Sequence, residues 1–308
     1  MRECVQSALA QTYENIEVLV SDNSSPDNTQ EVLQEFDDKR LRVLTQEKNI
    51  GLLPNWNACL DAAKGEYVVV LSDDDRITPQ LIERCVSVVN GRRDIPIVVA
   101  LSDFHIEATG RTRPATTSRS LATGIWPGTD ILLEYLKGDI DVLASCSIMM
   151  RTEASRIQGG FPRDFPHTAD VAAWARLLFM GKAGFVNEAC ATCYSHGQSE
   201  TSRLGTEQLL SDGWKVSSLI SSLASLHVKD PLKRHNLQLE ARRCFAGRGF
   251  TILSEYRRNG GKLQRIINFV WRFRSDLSKV DIAIIFRFIA IILCPRPIAD
   301  RLRRTKQT

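Results

Sequence analysis

The hydrophobic and polar positions of the first hundred residues alternate between short apolar runs and amphipathic stretches. Continuous apolar runs rich in β-branched residues predict buried strands over residues 16–20, 41–44, 67–71 and 97–101. Helix signals separate these runs, with predicted starts at a capping Ser25, at Pro54 and at Thr78. Strands that alternate with helices predict an α/β sheet, and ligands of such sheets bind at the carboxyl ends of the strands.

The order of elements predicts two regions. A helix over residues 2–11 comes first, so the frame lacks the strand with which such a sheet usually begins. Beyond residue 205 the pattern is helical with few strand signals. We therefore expect an α/β domain over residues 1–205 and a helical, basic region over residues 206–308.

Charge is distributed unevenly along the 308 residues. The whole chain carries +4, but residues 257–308 contain thirteen Lys or Arg against three Asp, which leaves −6 for the rest. A hydrophobic fraction of 43% excludes a disordered or collagen-like chain. The basic tail suggests an anionic partner, and the acidic body argues against nucleic acid.

The cysteines favour a reducing, cytoplasmic location. Of the eight, only Cys190 and Cys193 have C-x-x-C spacing, and no second pair completes a zinc site. A redox pair is the alternative, but most of the cysteines lie in apolar runs, which favours structural thiols.

An acidic cluster follows the predicted strand at 67–71. If strand geometry continues through it, Asp73 and Asp75 share one side and Asp74 faces the other. Adjacent carboxylates repel one another, and a divalent cation such as Mg²⁺ or Mn²⁺ relieves that repulsion. The alternative is a solvated acidic turn before the next helix.

Two polar loops precede the acidic cluster. Asp22 begins one of them at a strand end, where it could bind a nucleotide base or ribose or simply form a turn. Asn49, Gly51 and Asn57 mark the other, which could approach a ligand closely or serve as a plain loop-to-helix junction. The Asp22 loop and the acidic cluster each follow a predicted strand, which favours one shared ligand site for these two acidic loops.

These pieces together resemble the nucleotide-sugar half of a family 2 glycosyltransferase with a GT-A fold. The resemblance rests on S-A-L-A-Q-T-Y-E-N-I-E (7–17), D-N-S-S-P-D-N-T (22–29), N-I-G (49–51) and A-K-G-E-Y-V-V-V-L-S-D-D-D (63–75). It continues through G-G-F-P (159–162), A-D-V-A-A-W-A-R-L (169–177) and Y-S-H (194–196), and covers roughly residues 5–202. It implies a Rossmann-like mixed sheet flanked by helices, with a helical C-terminal extension.

The resemblance also implies roles for individual residues. The nucleotide-sugar would contact Asp22, Asn49, Gly51, Asn57, Asp73 and Asp74. Asp75 would bind the metal through the D-x-D motif together with His196, and Asp170 would be the catalytic base. Taken alone, Asp170 could merely complement a helix dipole, and His196 could be a surface histidine.

The implied activity is an inverting, metal-assisted transfer from a nucleotide-diphospho-sugar to a hydroxyl of a glycan or lipid-linked glycan, in cell-surface glycan synthesis. The alternative is a truncated, non-catalytic homologue that binds a nucleotide or a partner protein.

The apolar run at 281–294 suggests where the tail acts. Fourteen helical residues span ~21 Å, short of the ~30 Å hydrocarbon core, and Arg287 lies at the centre of the run. We therefore expect an interfacial helix on anionic lipid at the inner face of the cell membrane. A buried helix of a C-terminal subdomain is the alternative.

Overall fold

The computed structural model describes residues 1–141, 145–197, 199, 203–272, 286 and 289. It divides into two compact units, Met1–Ser202 and Arg203–Thr308. The elements of the first unit are α1 (Arg2–Leu9), β1 (Val18–Asp22), α2 (Thr29–Gln34), β2 (Leu41–Thr45), α3 (Leu52–Ala62), β3 (Tyr67–Val69), β4 (Arg76–Ile77), α4 (Leu81–Val89), β5 (Ile97–Ile106), β6 (Arg111–Arg113), β7 (Gly124–Pro127), α5 (Gly128–Lys137), β8 (Ile148–Arg151), α6 (Thr152–Ile157), α7 (Ala169–Leu178) and β9 (Lys182–Ser195). Those of the second unit are α8 (Thr206–His227), α9 (Pro231–Arg258) and α10 (Leu263–Arg272).

The strands of the first unit form two sheets. The larger has the order β3-β8-β5-β9-β4, with β6 paired to β5 and β7 paired to β9. Its β5–β9 pair is parallel, whereas the β3–β8, β5–β8 and β4–β9 pairs are antiparallel. The smaller sheet is the parallel pair β1–β2. The predicted mixed sheet flanked by helices is confirmed.

The packing of β5 in the core explains why its sequence begins with a continuous run of apolar residues. Val98 and Ala100 pack in a buried cluster with Leu81 and Cys85 of α4. Val99 points to the other face, where it lines a small apolar cavity beneath α5 and α7. Because helices cover both faces of the sheet, residues 97–102 of β5 are all buried and no alternation of polar residues appears there.

Three helix starts differ from the prediction, and one of them is that of α4, which begins at Leu81 rather than at Thr78. α2 begins at Thr29 after Asn28, rather than after Ser25. The reason is local: the Ser25 N–H donates to the Asp22 carboxylate, so residues 22–28 form a turn before the helix. α3 begins two residues before Pro54, directly after Gly51, whose φ of +89° suits glycine.

The Glu17 side chain links the start of β1 to the loop that leads into β3 through hydrogen bonds. Its carboxylate accepts the backbone N–H groups of Lys64 and Gly65 and pairs with Arg42. Burial by itself raises the pKa of this carboxyl, but these donors outweigh burial and hold the pKa below its ordinary value.

The second unit is a small helical core. α9 starts at Pro231 with Asp230 as its cap, whose side chain accepts the N–H groups of Leu232 and Lys233. Leu210 of α8, Phe250 of α9 and Ile266 of α10 meet in one buried cluster. Within the described residues, no helix is long and apolar enough to cross a membrane. Apart from Phe286 and Ile289, the predicted interfacial run at 281–294 lies outside the described residues.

Candidate active site

The acidic cluster lies in a turn between β3 and β4. β3 ends at Val69, and the Asp75 N–H donates to the Ser72 carbonyl at 3.0 Å, which closes the turn. The expected continuation of strand geometry is therefore wrong. Asp73 is exposed whereas Asp75 is buried, so these two carboxylates do not share one side.

Asp75 is only 4% exposed and its carboxylate is held from several directions. The backbone N–H of Tyr194 donates to Oδ1 at 2.9 Å, and the thiols of Cys146 and Cys193 lie close enough to lower the pKa of this carboxyl. Burial, together with the neighbouring charge of Asp74, raises the pKa of Asp75 to about 6 against the lowering effect of the Tyr194 N–H and the two thiols. These contacts are typical of a buried carboxylate that holds a turn in place. They do not favour the expected role of Asp75 as a metal ligand.

Asp74, the neighbour of Asp75 in the turn, contacts His196. Asp74 Oδ2 lies 2.8 Å from His196 Nε2, and the two side chains are 29% and 27% exposed. The Arg76 guanidinium fixes the turn by donating to the carbonyls of Asp74 and Asp75 at 2.7 and 2.8 Å. The structure thus joins the acidic turn to the Y-S-H motif through Asp74 rather than Asp73.

The end of β9 lies against the acidic turn, so Tyr194 and His196 contact residues of that turn. Between Ala100 and Ser102, the β5 partner on β9 advances from Val186 to Ala191, so β9 carries a bulge before it pairs with β4. Bulges of this kind redirect the residues that follow them. The Tyr194 ring also contacts two side chains of neighbouring strands. Its centroid lies 4.9 Å from the centroid of the His105 ring and 5.2 Å from the guanidinium carbon of Arg76.

Asp22 forms the turn after β1. It is 3% exposed, with Oδ1 accepting the Ser25 N–H at 2.9 Å and Oδ2 accepting from Gln30 at 3.2 Å. Burial raises the pKa of this carboxyl, but the donors from Ser25 and Gln30 outweigh it, so the pKa lies below the ordinary value.

The two polar loops are hydrogen-bonded to each other. The Asn49 side-chain oxygen accepts from the Gly51 N–H at 2.9 Å and from the Asn23 amide at 3.1 Å. Ser21 donates to the Asn55 side chain at 2.6 Å, which links β1 to α3. Asn23 is thus a part of this loop pair that received no role in the sequence analysis.

Asn57 has a different partner from the one expected. Its amide nitrogen donates to the Phe161 carbonyl at 2.9 Å, and its oxygen accepts the Phe161 N–H at 2.8 Å. Phe161 is 1% exposed and also packs edge-to-face on Trp56. Both polar groups of Asn57 therefore hold the G-G-F-P loop ahead of α7, and this contact does not support a donor-binding role.

Asp170 lies in the first turn of α7, which begins after Thr168 as predicted. Its Oδ1 accepts the N–H of Val171 at 2.7 Å. Burial raises the pKa of the Cys193 thiol, and the charges of Asp75, Asp74 and Asp170 raise it further. Asp170 is therefore close enough to β9 to act electrostatically on the same thiol as the acidic turn.

The structure thus brings Asp74, Asp75 and His196 together at the end of β9, and Asp170 lies within electrostatic range of Cys193. Asp22, Asn49 and Gly51 belong to the loop pair, the two hydrogen-bonded loops that follow β1 and β2. Sequence reasoning missed the Tyr194 N–H and the thiols of Cys146 and Cys193, which it treated as core cysteines. All seven cysteines among the described residues are free. In the described part of the chain, no group of three or more His, Cys, Asp or Glu forms a ready metal site.

A sequence profile of glycosyl transferase family 2 matches residues 1–156, half of the chain. The chain belongs to glycosyl transferase family 2. The expected resemblance and the GT-A fold are confirmed.

The relatives of this family 2 chain include several glycosyltransferases. It is 37% identical over 99 residues to glycosyltransferase GlyG of Streptococcus pneumoniae, covering 32% of this chain and 33% of that protein. It is 24% identical over 211 residues to an uncharacterized glycosyltransferase of Haemophilus influenzae, covering 67% and 64%. Hyaluronan synthase of Pasteurella multocida is 24% identical over 216 residues, 68% of this chain and 20% of the synthase. The chain thus spans less than two thirds of each of these proteins.

Solved structures share the fold at low identity. TarS of S. aureus, in complex with UDP-GlcNAc, has a TM-score of 0.67 at 16% identity, covering 94% of this chain and 77% of that one. The mannosyltransferase PcManGT of Pyrobaculum calidifontis, in complex with GDP-Man and Mn²⁺, has a TM-score of 0.51 at 15% identity, covering 94% and 81%.

Proposed function

We propose that this family 2 chain is an inverting, metal-assisted glycosyltransferase that moves a sugar from a nucleotide-diphospho-sugar to a hydroxyl acceptor. The observation that carries the proposal is the 2.8 Å approach of Asp74 to His196, at the end of the strand whose Cys193 is within electrostatic range of Asp170. An acid, an imidazole and a second acid at one sheet end match what metal-assisted group transfer requires.

The side chains of Asp74 and His196 fit a divalent cation. A carboxylate oxygen and an imidazole nitrogen are both ligands of Mn²⁺, and both side chains are partly exposed. Two protein ligands suffice where substrate phosphates and water complete the shell. We therefore assign the cation to Asp74 and His196, and we assign Asp75 the task of holding the turn from behind.

The chemistry follows from the charges involved. The leaving nucleoside diphosphate gains negative charge as the glycosidic bond breaks, and a bound Mg²⁺ or Mn²⁺ would neutralise it. Asp170 accepts the proton of the acceptor hydroxyl while that oxygen attacks the anomeric carbon from the face opposite the diphosphate. One such displacement inverts the anomeric configuration. The first turn of α7 favours the ionised form of Asp170, which is the form that a base needs.

The donor and acceptor classes are supported by the relatives. TarS binds UDP-GlcNAc and PcManGT binds GDP-Man, so we propose a nucleotide-diphospho-sugar donor held by the loop pair of Asp22, Asn49 and Gly51, with Asp73 at its edge. Hyaluronan and chondroitin synthases are among the relatives. They support a glycan or lipid-linked glycan acceptor in polysaccharide biosynthesis.

The test is hydrolysis of UDP- and GDP-sugars by the full chain, with and without Mn²⁺, because water substitutes for an unknown acceptor. Asp170→Asn should lower the rate by about 10²–10⁴-fold with nucleotide affinity unchanged. Asp130→Asn is the matched control, since Asp130 lies in the first turn of α5. An Asp170→Asn variant with the full rate would refute the base assignment.

The cation assignment has its own test. Calorimetry with Mn²⁺ and nucleoside diphosphate should show a larger loss of Mn²⁺ affinity in Asp74→Asn than in Asp75→Asn. The reverse order would return the ligand role to Asp75. Metal-dependent nucleotide binding without turnover of any donor would favour the non-catalytic alternative.

We also propose that the chain acts at an anionic membrane surface on the cytoplasmic side. The charge of the tail supports this location.

A further inference from the structure

Arg76 follows the acidic turn directly, and its side chain folds back onto the backbone of that turn. Its Nη1 donates to the carbonyls of Asp74 and Asp75 at 2.7 and 2.8 Å, and its Nε and Nη2 donate to the Glu3 carboxylate at 3.1 and 2.6 Å. Four of the five guanidinium N–H groups therefore bind the protein itself. Because one donor is left for a substrate, these contacts favour a role in holding the chain over a role in binding a phosphate.

Two neighbouring elements hold the Arg76 side chain in this position. The centroid of the Tyr194 ring on β9 lies 5.2 Å from the guanidinium carbon, and β4 itself pairs with β9. Glu3 belongs to α1, which also contacts the turn through the Cys4 thiol, a donor to the Ser72 carbonyl at 3.3 Å. Arg76 thus links the acidic turn to both β9 and α1.

The charge of Arg76 and its hydrogen bonds have opposite effects on a cation bound at the turn. A positive guanidinium beside a cation weakens cation binding by repulsion. Glu3 offsets part of this charge, since its hydrogen bond with Arg76 and the charge of Arg76 hold the pKa of the Glu3 carboxyl below its ordinary value. The hydrogen bonds to the carbonyls of Asp74 and Asp75 instead fix the backbone that carries the Asp74 carboxylate. The two effects are therefore separable by the sign of a mutational change.

We propose that Arg76 is a positioning residue for the cation, because it holds the Asp74 backbone so that Asp74 Oδ2 stays 2.8 Å from His196 Nε2. Without the guanidinium, the two peptide groups are free to rotate, and their rotation turns the Asp74 side chain away from His196. Removal of groups that orient a metal ligand typically costs ~10–100-fold in metal affinity. This inference rests on the cation assignment to Asp74 and His196 in the proposed function.

Calorimetry of the full chain tests the proposal, with Mn²⁺ titrated in the presence of UDP and with UDP titrated alone. Arg76→Met should weaken Mn²⁺ binding about tenfold or more, while the affinity for UDP alone changes less than about twofold. Arg76→Lys keeps the charge but loses the fork of donors, so its Mn²⁺ affinity should lie between those of Arg76→Met and the wild type.

Glu3→Gln is the matched control for charge. It removes one negative charge beside Arg76 but keeps an oxygen that accepts from the guanidinium. The Glu3 side chain is 73% exposed, so water screens its charge, and we expect the Mn²⁺ affinity to change less than about twofold. Circular dichroism shows whether each variant is folded. If Arg76→Met does not fold, a wild-type Mn²⁺ affinity in Arg76→Lys overturns the proposal.

The remaining outcomes separate this inference from the cation assignment beneath it. Stronger Mn²⁺ binding by Arg76→Met would show that Arg76 acts through its charge, and would overturn the proposal. An equal loss of UDP affinity with and without Mn²⁺ would also overturn it, because Arg76 would then be a phosphate ligand. If Asp74→Asn loses Mn²⁺ affinity and Arg76→Met does not, the cation assignment stands and the positioning role falls. A wild-type chain that binds no Mn²⁺ overturns both.

Discussion

Asn57 provides a sharp test because the sequence and the structure give it different partners. The resemblance implies a contact with the donor, whereas the structure pairs both ends of its amide with the backbone of Phe161. Replacing Asn57 with Ala removes both hydrogen bonds and leaves the Phe161 N–H and C=O without those partners.

The cost of Asn57→Ala can be worked from burial. Phe161 is 1% exposed, and each buried backbone group left unsatisfied costs about 1–3 kcal/mol, so the two together cost about 2–6 kcal/mol. Asn57 itself is only half-buried, so water can enter the space of the missing amide and satisfy part of the loss. We expect the lower end, about 2 kcal/mol, or roughly a 30-fold change in the unfolding equilibrium constant.

Urea unfolding followed by circular dichroism measures this cost, and calorimetry with nucleoside diphosphate measures binding by the folded variant. Asn28→Ala is the matched control, because Asn28 is exposed and makes no side-chain capping bond to α2. We expect Asn57→Ala to lose stability while nucleotide affinity changes less than about twofold. A variant with wild-type stability and a tenfold loss of affinity would refute the structural role and restore the donor contact.

Two further substitutions test the packing around the site. Gly160→Ala should destabilise the chain, because Gly160 has φ +59° and an added methyl would meet the Asn57 side chain. Combining it with Asn57→Ala should cost less than the sum of the two in urea unfolding, since the clash disappears, and strict additivity would contradict this. Glu17→Gln should lower the unfolding free energy at neutral pH. The folded-state pKa of Glu17 is depressed, so its contribution is present above the unfolded pKa of about 4.3 and is lost as the pH falls through the folded pKa. The difference from wild type should thus shrink in acid titrations of stability, and a difference independent of pH would argue against the Glu17 contacts.

The hydrophobic pattern predicted the central strands well, because both faces of the larger sheet are covered. The run at 97–101 identified β5, but its extension to Ile106 was not visible. Beyond Ser102 the strand leaves the core and is held by pairing with β6 and β9. β9 was not predicted, since its bulge places Asn187 and Glu188 inside the strand and breaks the apolar pattern.

The sequence predicted where the candidate site lies better than it predicted which contacts each of its residues makes. The acidic cluster was expected at a strand end, and the structure has it there. Which carboxylate faces the ligand depends on the turn at residues 72–75 and on a backbone donor 119 residues away, at Tyr194. A side-chain pattern carries no record of a backbone N–H, so nothing in the sequence was a reason to propose Asp74 rather than Asp75 as the metal ligand.

The backbone bond from Tyr194 to Asp75 also determines which mutational changes this site tolerates. The bond uses no side-chain atom of Tyr194, so many residues at this position could supply the same N–H. A one-residue insertion or deletion after the β9 bulge is different, because it shifts the backbone groups relative to Asp75 and moves His196 away from Asp74. The site therefore depends on the number of residues in β9 as much as on their identities. Relatives that share the site should have the same number of residues between the bulge and His196.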